Sequence, residues 1–152
     1  MPEKKKQQTL QDDGAKAIRD MLPRMAFNTV LGIRLHETHD DGVTIKCRVK
    51  PKLLNLVGVL HGGVSATLAD AAVGIATTRH YKGRPITTVE LKINYFRPIA
   101  LGSTVYARAR LRRTGSTLSI GEVEIHDSEK NLCGLAIVTY ILLDMRGATP
   151  AK

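Results

Sequence analysis

The sequence predicts an α+β domain in which one antiparallel sheet wraps around a single long helix. Residues 61–79 form a run of small apolar side chains at helical spacing, and four strand-like stretches joined by short connections follow it. Short connections join antiparallel neighbours, because a parallel pair needs a long crossover. A chain of 152 residues fits one domain with a core of ordinary size.

The chain begins with a charged tail, a helix and a strand. Residues 1–13 are rich in Lys, Gln and Asp and are predicted to be a disordered basic tail. Apolar residues at helical spacing predict an additional N-terminal helix from Ala15, and Pro23 either kinks this helix or starts a second one. Residues 27–37 then lead into the first strand. In residues 43–50 apolar and polar side chains alternate, which is typical of a half-buried strand.

The central helix is predicted from His61 to about Arg79. The residues assigned to its core face are Val64, Leu68, Ala71, Ala72, Ile75 and Ala76. Its opposite face carries small residues and the carboxylate of Asp70. We interpret that face as a subunit interface, because it is too small and too apolar for a plain solvent surface.

Four strands are predicted after the helix. The inward residues are Val89, Leu91, Ile93 and Tyr95 in the first strand, and Val105, Ala107, Ala109 and Leu111 in the second. In the third strand the alternation shifts by one residue at Gly121, which predicts a β-bulge. The fourth, residues 131–145, is apolar on both faces, as a central strand covered on both sides would be. We therefore expect one domain over residues 14–146 and a loose end over 147–152.

The net charge of +9 favours an anionic partner, such as nucleic acid, a membrane surface or a small anion. No stacking aromatics lie between the arginines of residues 107–113, so we predict no nucleic acid. The longest apolar run, residues 133–143, is shorter than the ~20 residues of a membrane span. Two distant cysteines and a polar first segment predict a cytoplasmic protein with reduced thiols, no bound metal and no secretory leader.

The sequence His61-Gly62-Gly63 at the start of the central helix suggests an oxyanion site. The first N–H groups of a helix lack partners and carry partial positive charge, and glycine lets a ligand carbonyl come close. Asp70 follows more than two turns later among apolar residues, where an ionised carboxylate is costly unless it is paired. This makes Asp70 a candidate base or nucleophile. The plain alternatives are a tight turn at the glycines and a solvent-facing aspartate.

The stretch "NLVGVLHGGVSATLADAAVG", residues 55–74, resembles the signature of hotdog-fold acyl-CoA thioesterases of the phenylacetate-pathway (PaaI-like) type. The resemblance extends over residues 25–143. It implies homodimers that often pair again into tetramers, with active sites at the dimer interface.

The resemblance also implies residue roles. Gly62 donates its backbone N–H to the thioester carbonyl, and His61 and Asn55 line the same side of the site. Asp70 of the partner chain activates water or attacks the carbonyl directly, and Thr88 positions the water. Judged by the residues alone, Asn55 and Thr88 are ordinary polar surface positions.

The phosphates of coenzyme A suit arginine side chains. Arg97, Arg112 and Arg113 are candidate ligands, although solvated surface charge is the alternative for each. Gly63 and Ser116 complete the predicted substrate contacts. Because coenzyme A is part of the substrate, we expect no cofactor.

The predicted function is hydrolysis of an acyl-CoA to a free acid and coenzyme A. The alternatives are a non-catalytic acyl-CoA binding or sensing module and an enoyl-thioester hydratase. A hydratase would use a His–Asp dyad that acts on carbon, whereas His61 directly precedes Gly62 and Gly63. That arrangement favours polarisation of a carbonyl. The predicted partners are the acyl-CoA and a second copy of the chain, without a membrane.

Overall fold

The computed structural model describes residues 13–144. Helix α1 includes residues 13–21, and α2 (Ala26–Leu31) and α3 (Gly62–His80) follow. The strands are β1 (Arg34–His39), β2 (Gly42–Arg48), β3 (Ile86–Tyr95), β4 (Thr104–Thr114), β5 (Leu118–His126) and β6 (Leu132–Leu142). Short 3-10 helices cover Leu22–Arg24 and Pro51–Leu53.

The six strands form one sheet in the order β1-β2-β4-β5-β6-β3, and every neighbouring pair is antiparallel. Helix α3 packs across the inner face of this sheet against β2 to β6. Strand β3 follows α3 in the chain but lies at the edge beside β6. The predicted class, an antiparallel sheet wrapped around a long helix with an additional N-terminal helix, is confirmed.

Helix α3 is buried on nearly all sides. The residues of the predicted core face are buried, and Ala69, Val73 and Thr77 on the opposite face are 0% exposed. The Thr77 hydroxyl lies 3.1 Å from the Ser119 hydroxyl of β5. The interpretation of this second face as a subunit interface is therefore wrong at Ala69, Val73 and Thr77, because the chain's own sheet covers these residues. Partly exposed positions remain at Ala66, Thr67, Asp70 and Gly74.

The predicted bulge at Gly121 is wrong. Burial alternates without interruption along β5, so Ser119 and Gly121 face the helix while Leu118 and Ile120 face outward. The irregularity lies in the neighbouring strand β4, after Leu111. Serine and glycine occupy inward positions here because α3 lies too close to the sheet for larger side chains.

Strand β3 contains a bulge that the sequence did not predict. The pairing with β6 shifts between Thr88 and Glu90, and Val89 is 54% exposed. The predicted inward position of Val89 is therefore wrong. Thr88 pairs directly with Tyr140 of β6, which is buried on the inner face, so the bulge turns Thr88 towards the helix.

The N-terminal part has one more strand than predicted, and a second helix follows the turn at Pro23, which was one of the two expected outcomes. Residues 27–37 do not lead straight into a strand, because α2 forms first and ends at Gly32, whose φ of 75° is left-handed. Pro23 lies in the 3-10 turn between α1 and α2. Strands β1 and β2 then form a hairpin through Asp40 and Asp41, so two strands precede α3.

Strand β6 is covered on its inner face but only partly on its outer face, where Ile137 is 46% exposed. The covering on both sides predicted for this strand is thus incomplete within one chain. The predicted C-terminal end, residues 147–152, and the predicted tail, residues 1–13, lie outside the described residues except for Asp13, which is helical. Between residues 13 and 144, no helix is long and apolar enough to cross a membrane.

Candidate active site

Helix α3 begins at Gly62 with one backbone donor unused. The Gly63 N–H donates to Nδ1 of His61 at 2.9 Å, and the Val64 N–H donates to the His61 carbonyl at 2.9 Å. No hydrogen bond within residues 13–144 uses the Gly62 N–H. His61 thus caps the helix, and Gly62 rather than Gly63 offers a donor to a ligand.

Tyr95 of β3 holds the first turn of α3 in place, a contact that the sequence did not suggest. Its hydroxyl donates to the Gly62 carbonyl at 2.7 Å. A Cβ atom on Gly62 would lie 3.1 Å from the tyrosine ring, so glycine permits this close approach. Burial raises the pKa of Tyr95, which keeps the hydroxyl protonated as a donor.

A pocket of about 320 Å³ opens beside Gly62. Asn55 lies in its wall, and its side-chain oxygen accepts hydrogen bonds from the N–H groups of Val57 at 3.1 Å and Val59 at 3.2 Å. Asn55 thereby shapes its own loop, and its amide N–H groups have no acceptor among the described residues. Arg97 also lines this pocket, so the predicted site residues Asn55, Gly62 and Arg97 do come together.

Asp70 lies in a second pocket, of about 330 Å³. The Thr88 hydroxyl donates to Oδ1 of Asp70 at 2.8 Å, and the Tyr140 hydroxyl donates to the same oxygen at 2.9 Å. The aspartate is therefore hydrogen-bonded within the chain and does not point freely into solvent. Met25 and Phe27 of α2 add apolar side chains to this pocket.

Tyr140, like Tyr95, is a site residue whose contact the sequence did not indicate. It lies within the apolar run of β6, and its only signal was a tyrosine at an inward position of a buried strand. Burial raises the pKa of Tyr140 well above its usual range, and the nearby Asp70 carboxylate raises it further. The hydroxyl is therefore protonated at neutral pH and acts as a donor.

Within one chain, Gly62 and Asp70 do not face each other. They are eight residues apart on α3, or about 12 Å along the helix axis, and they line different pockets. Strand β3 borders both, with Thr88 and Leu91 in the Asp70 pocket and Tyr95 in the Gly62 pocket. One protomer thus carries two half-sites along the same edge strand.

The candidate phosphate ligands are divided between the two ends of α3. Arg112 forms an ion pair with Glu122 at 2.7 Å, whereas Arg113 is exposed and has no ion pair within residues 13–144. Arg113 precedes the turn that carries Ser116, and the hydroxyl of Tyr81, just after α3, donates to Gly115 of this turn at 2.7 Å. Arg113 and Ser116 are therefore remote from Gly62 of the same chain.

Comparison with known proteins identifies the family. The profile of the thioesterase superfamily matches residues 57–134, more than half of the chain, including all of α3. The chain belongs to the thioesterase superfamily. This thioesterase is 31% identical over 111 residues to acyl-coenzyme A thioesterase 13 of Homo sapiens, covering 72% of this chain and 79% of that protein.

Two further proteins are similar to this thioesterase. The medium/long-chain acyl-CoA thioesterase YigI of Escherichia coli K12 is 27% identical over 134 residues, which cover 78% of this chain and 86% of that protein. The E. coli PaaI protein from the phenylacetic acid degradation operon superposes with a TM-score of 0.81 at 22% identity, covering 89% of this chain and 96% of that one. The predicted PaaI-like hotdog fold and the class of thioester hydrolase are confirmed.

Proposed function

We propose that this thioesterase hydrolyses acyl-CoA esters to a free acid and coenzyme A, with Gly62 of one protomer and Asp70 of its partner forming each active site. The observation that supports this assignment most directly is that hydrogen bonds fix the orientation of the Asp70 carboxylate. Thr88 and Tyr140 both donate to Oδ1 of Asp70, while Oδ2 has no hydrogen bond within residues 13–144. The names of the acyl-CoA thioesterases to which the chain is similar support the substrate class.

In this proposal the thioester carbonyl accepts the Gly62 N–H at the positive end of α3. This donor stabilises the oxyanion that forms when the carbonyl is attacked, and one such donor contributes roughly 3–4 kcal/mol in known enzymes. Asp70 takes a proton from water as the water attacks, and the coenzyme A thiolate leaves and is protonated. Alternatively, the carboxylate attacks the carbonyl carbon, the C–S bond breaks and the coenzyme A thiolate leaves and is protonated, and water then opens the resulting anhydride to the free acid and the Asp70 carboxylate.

The proposal requires a second copy of the chain. The thioester carbon, held by the Gly62 N–H, must lie within about 3–3.5 Å of the attacking oxygen. Gly62 and Asp70 of one chain lie about 12 Å apart along the helix and line different pockets, so they do not act on the same thioester. Strand β3 is an edge strand. Pairing two copies about a two-fold axis aligns their β3 strands antiparallel. The Thr88 half of one strand then meets the Tyr95 half of the other, which brings Asp70 towards the partner's Gly62.

An apolar patch on the outer sheet face supports the pairing of two dimers. Its residues are Leu118, Ile120, Leu135, Ile137 and Ile141, which lie on the outer face of β5 and β6 and are exposed or half-buried. Thr139, Glu122 and Glu124 lie among these residues on the same face, and grouped exposed apolar side chains rimmed by polar residues mark an interaction surface. The cytoplasmic location and the absence of a cofactor stay predictions.

Thiol release from a panel of aryl, short-chain and long-chain acyl-CoA esters tests the function. We expect hydrolysis of at least one class by the wild-type protein, and loss of most of that activity in Asp70→Asn, which keeps the size of the side chain. Asp20→Asn, which removes an exposed carboxylate paired with Lys16 on α1, is the control and should retain the wild-type rate. Tight binding of acyl-CoA without thiol release would instead indicate a sensing module.

Full activity of Asp70→Asn would refute the assignment of the carboxylate. A substrate that gains water across a double bond while its thioester stays intact would indicate the hydratase. The dimer requirement is tested separately by the size of the active species in solution.

A further inference from the structure

The Tyr140 hydroxyl touches Asp70 at two points. It lies 2.9 Å from Oδ1 of the carboxylate and 3.0 Å from the backbone carbonyl oxygen of the same residue. A donor that lies against both the side chain and the main chain of one residue limits the rotation of that side chain about its Cα–Cβ bond. The carboxylate is thereby held in one orientation relative to α3.

Gly74 is the residue that makes room for this contact. It lies one turn after Asp70, in the interior of α3, where glycine is less favourable than alanine. A Cβ atom at Gly74 would lie 2.6 Å from the Tyr140 hydroxyl oxygen and 3.1 Å from the ring carbon that bears it. Any side chain at this position would push the phenol away from Asp70. The contact thus explains a glycine that otherwise weakens the central helix.

The two hydroxyl donors lie on neighbouring strands, at positions that pair directly with each other. Thr88 and Tyr140 are direct partners on β3 and β6, and both donate to Oδ1. Both donors act on Oδ1 and neither acts on Oδ2, although the single Tyr140 hydroxyl hydrogen is shared between Oδ1 and the Asp70 carbonyl oxygen. Oδ2, which has no partner within residues 13–144, is left for the reaction.

We propose that Tyr140, admitted by Gly74, is a positioning residue that selects Oδ2 of Asp70 as the reacting oxygen. The inference rests on the proposed function, in which Asp70 is the reacting carboxylate. Tyr140 does not touch the thioester; it acts by holding Asp70 so that Oδ2 points at the water or the carbonyl. Loss of the Tyr140 hydroxyl should therefore lower the rate at which bound substrate is hydrolysed and leave substrate binding unchanged.

Steady-state kinetics of Tyr140→Phe is the first test. A hydrogen bond to a charged group has the strength to change a rate by about 10- to 100-fold, so we expect kcat to fall by this factor with KM within about twofold of wild type. Tyr106→Phe is the matched control. Tyr106 lies on β4, where its ring packs edge-on against His36, so kcat should not change. A folded Tyr140→Phe with wild-type kcat would overturn the proposal.

A double-mutant cycle with Gly74→Ala separates positioning from a structural role. Gly74→Ala should lower kcat by a factor similar to that of Tyr140→Phe, because the new methyl group displaces the hydroxyl. When Tyr140→Phe is already present, adding Gly74→Ala should cause little further decrease in kcat, because the hydroxyl oxygen that the alanine would displace is already absent. Independent effects that multiply in the double variant would contradict the proposal. If Tyr140→Phe does not fold, the Gly74→Ala variant alone tests the inference, and an unchanged kcat of that variant refutes it.

The failure of this inference is distinguishable from the failure of the proposed function. If Asp70→Asn is inactive while Tyr140→Phe and Gly74→Ala keep full activity, Asp70 is the reacting group but Tyr140 does not position it. If Asp70→Asn keeps full activity, the proposed function itself is wrong and the inference falls with it.

Discussion

The substitution Gly121→Ala tests how closely α3 approaches the sheet. A Cβ atom at Gly121 would lie 2.7 Å from both γ-methyl carbons of Val73, and Val73 is 0% exposed. The valine is β-branched and confined in a helix, so it has little freedom to rotate away. The added methyl group must therefore push α3 away from β5 or distort β5 itself.

The expected cost is that of overpacking a filled core, about 1–3 kcal/mol. For a chain of this size, about 1 kcal/mol corresponds to roughly 2–4 °C in Tm, so we expect a decrease of about 2–12 °C. The double variant with Val73→Ala should recover part of this loss, because the methyl groups that obstruct the new side chain are then absent. Thermal unfolding at matched protein concentration measures both effects.

A conservative change at the next outward position provides the control. Ile120→Val, on the outer side of the same strand, should change Tm much less, since Ile120 is only half-buried. If Gly121→Ala were as stable as the wild type, Gly121 would not face the helix. The outcome would then favour the bulge at this position that the sequence alone suggested.

Two predictions concern assembly and coenzyme A. Val89→Lys places a charge on the exposed bulge of edge strand β3, and such a charge opposes pairing with another strand. Light scattering should therefore detect folded monomers, which should lack activity. An unchanged molecular mass would exclude pairing through β3. Arg97→Ala and Arg113→Ala should each raise KM for acyl-CoA more than they lower kcat, whereas Arg112→Ala should have little effect because Glu122 already neutralises its charge. A KM unchanged in the first two variants would remove these arginines from the substrate site.

The sequence by itself determined the elements that depend on local patterns. The apolar run after His61 predicted α3 to within a residue or two of its observed bounds, from Gly62 to His80. Alternation predicted the buried side of residues 43–50, where Val43, Ile45 and Cys47 of β2 and Val49 just after it are at most 2% exposed. The unused Gly62 N–H also follows from local structure, because it depends only on where the helix begins.

Only the tertiary structure decided how the carboxylate of Asp70 is held. Strict alternation would have turned Val89 towards the helix, but the pairing of β3 with β6 produces a bulge that turns Thr88 inward instead. Tyr140 meets Asp70 across 70 residues of chain, and Gly74 matters only because that phenol lies against it. Side-chain periodicity is a property of one segment, whereas the space beside a residue depends on which other segment packs there.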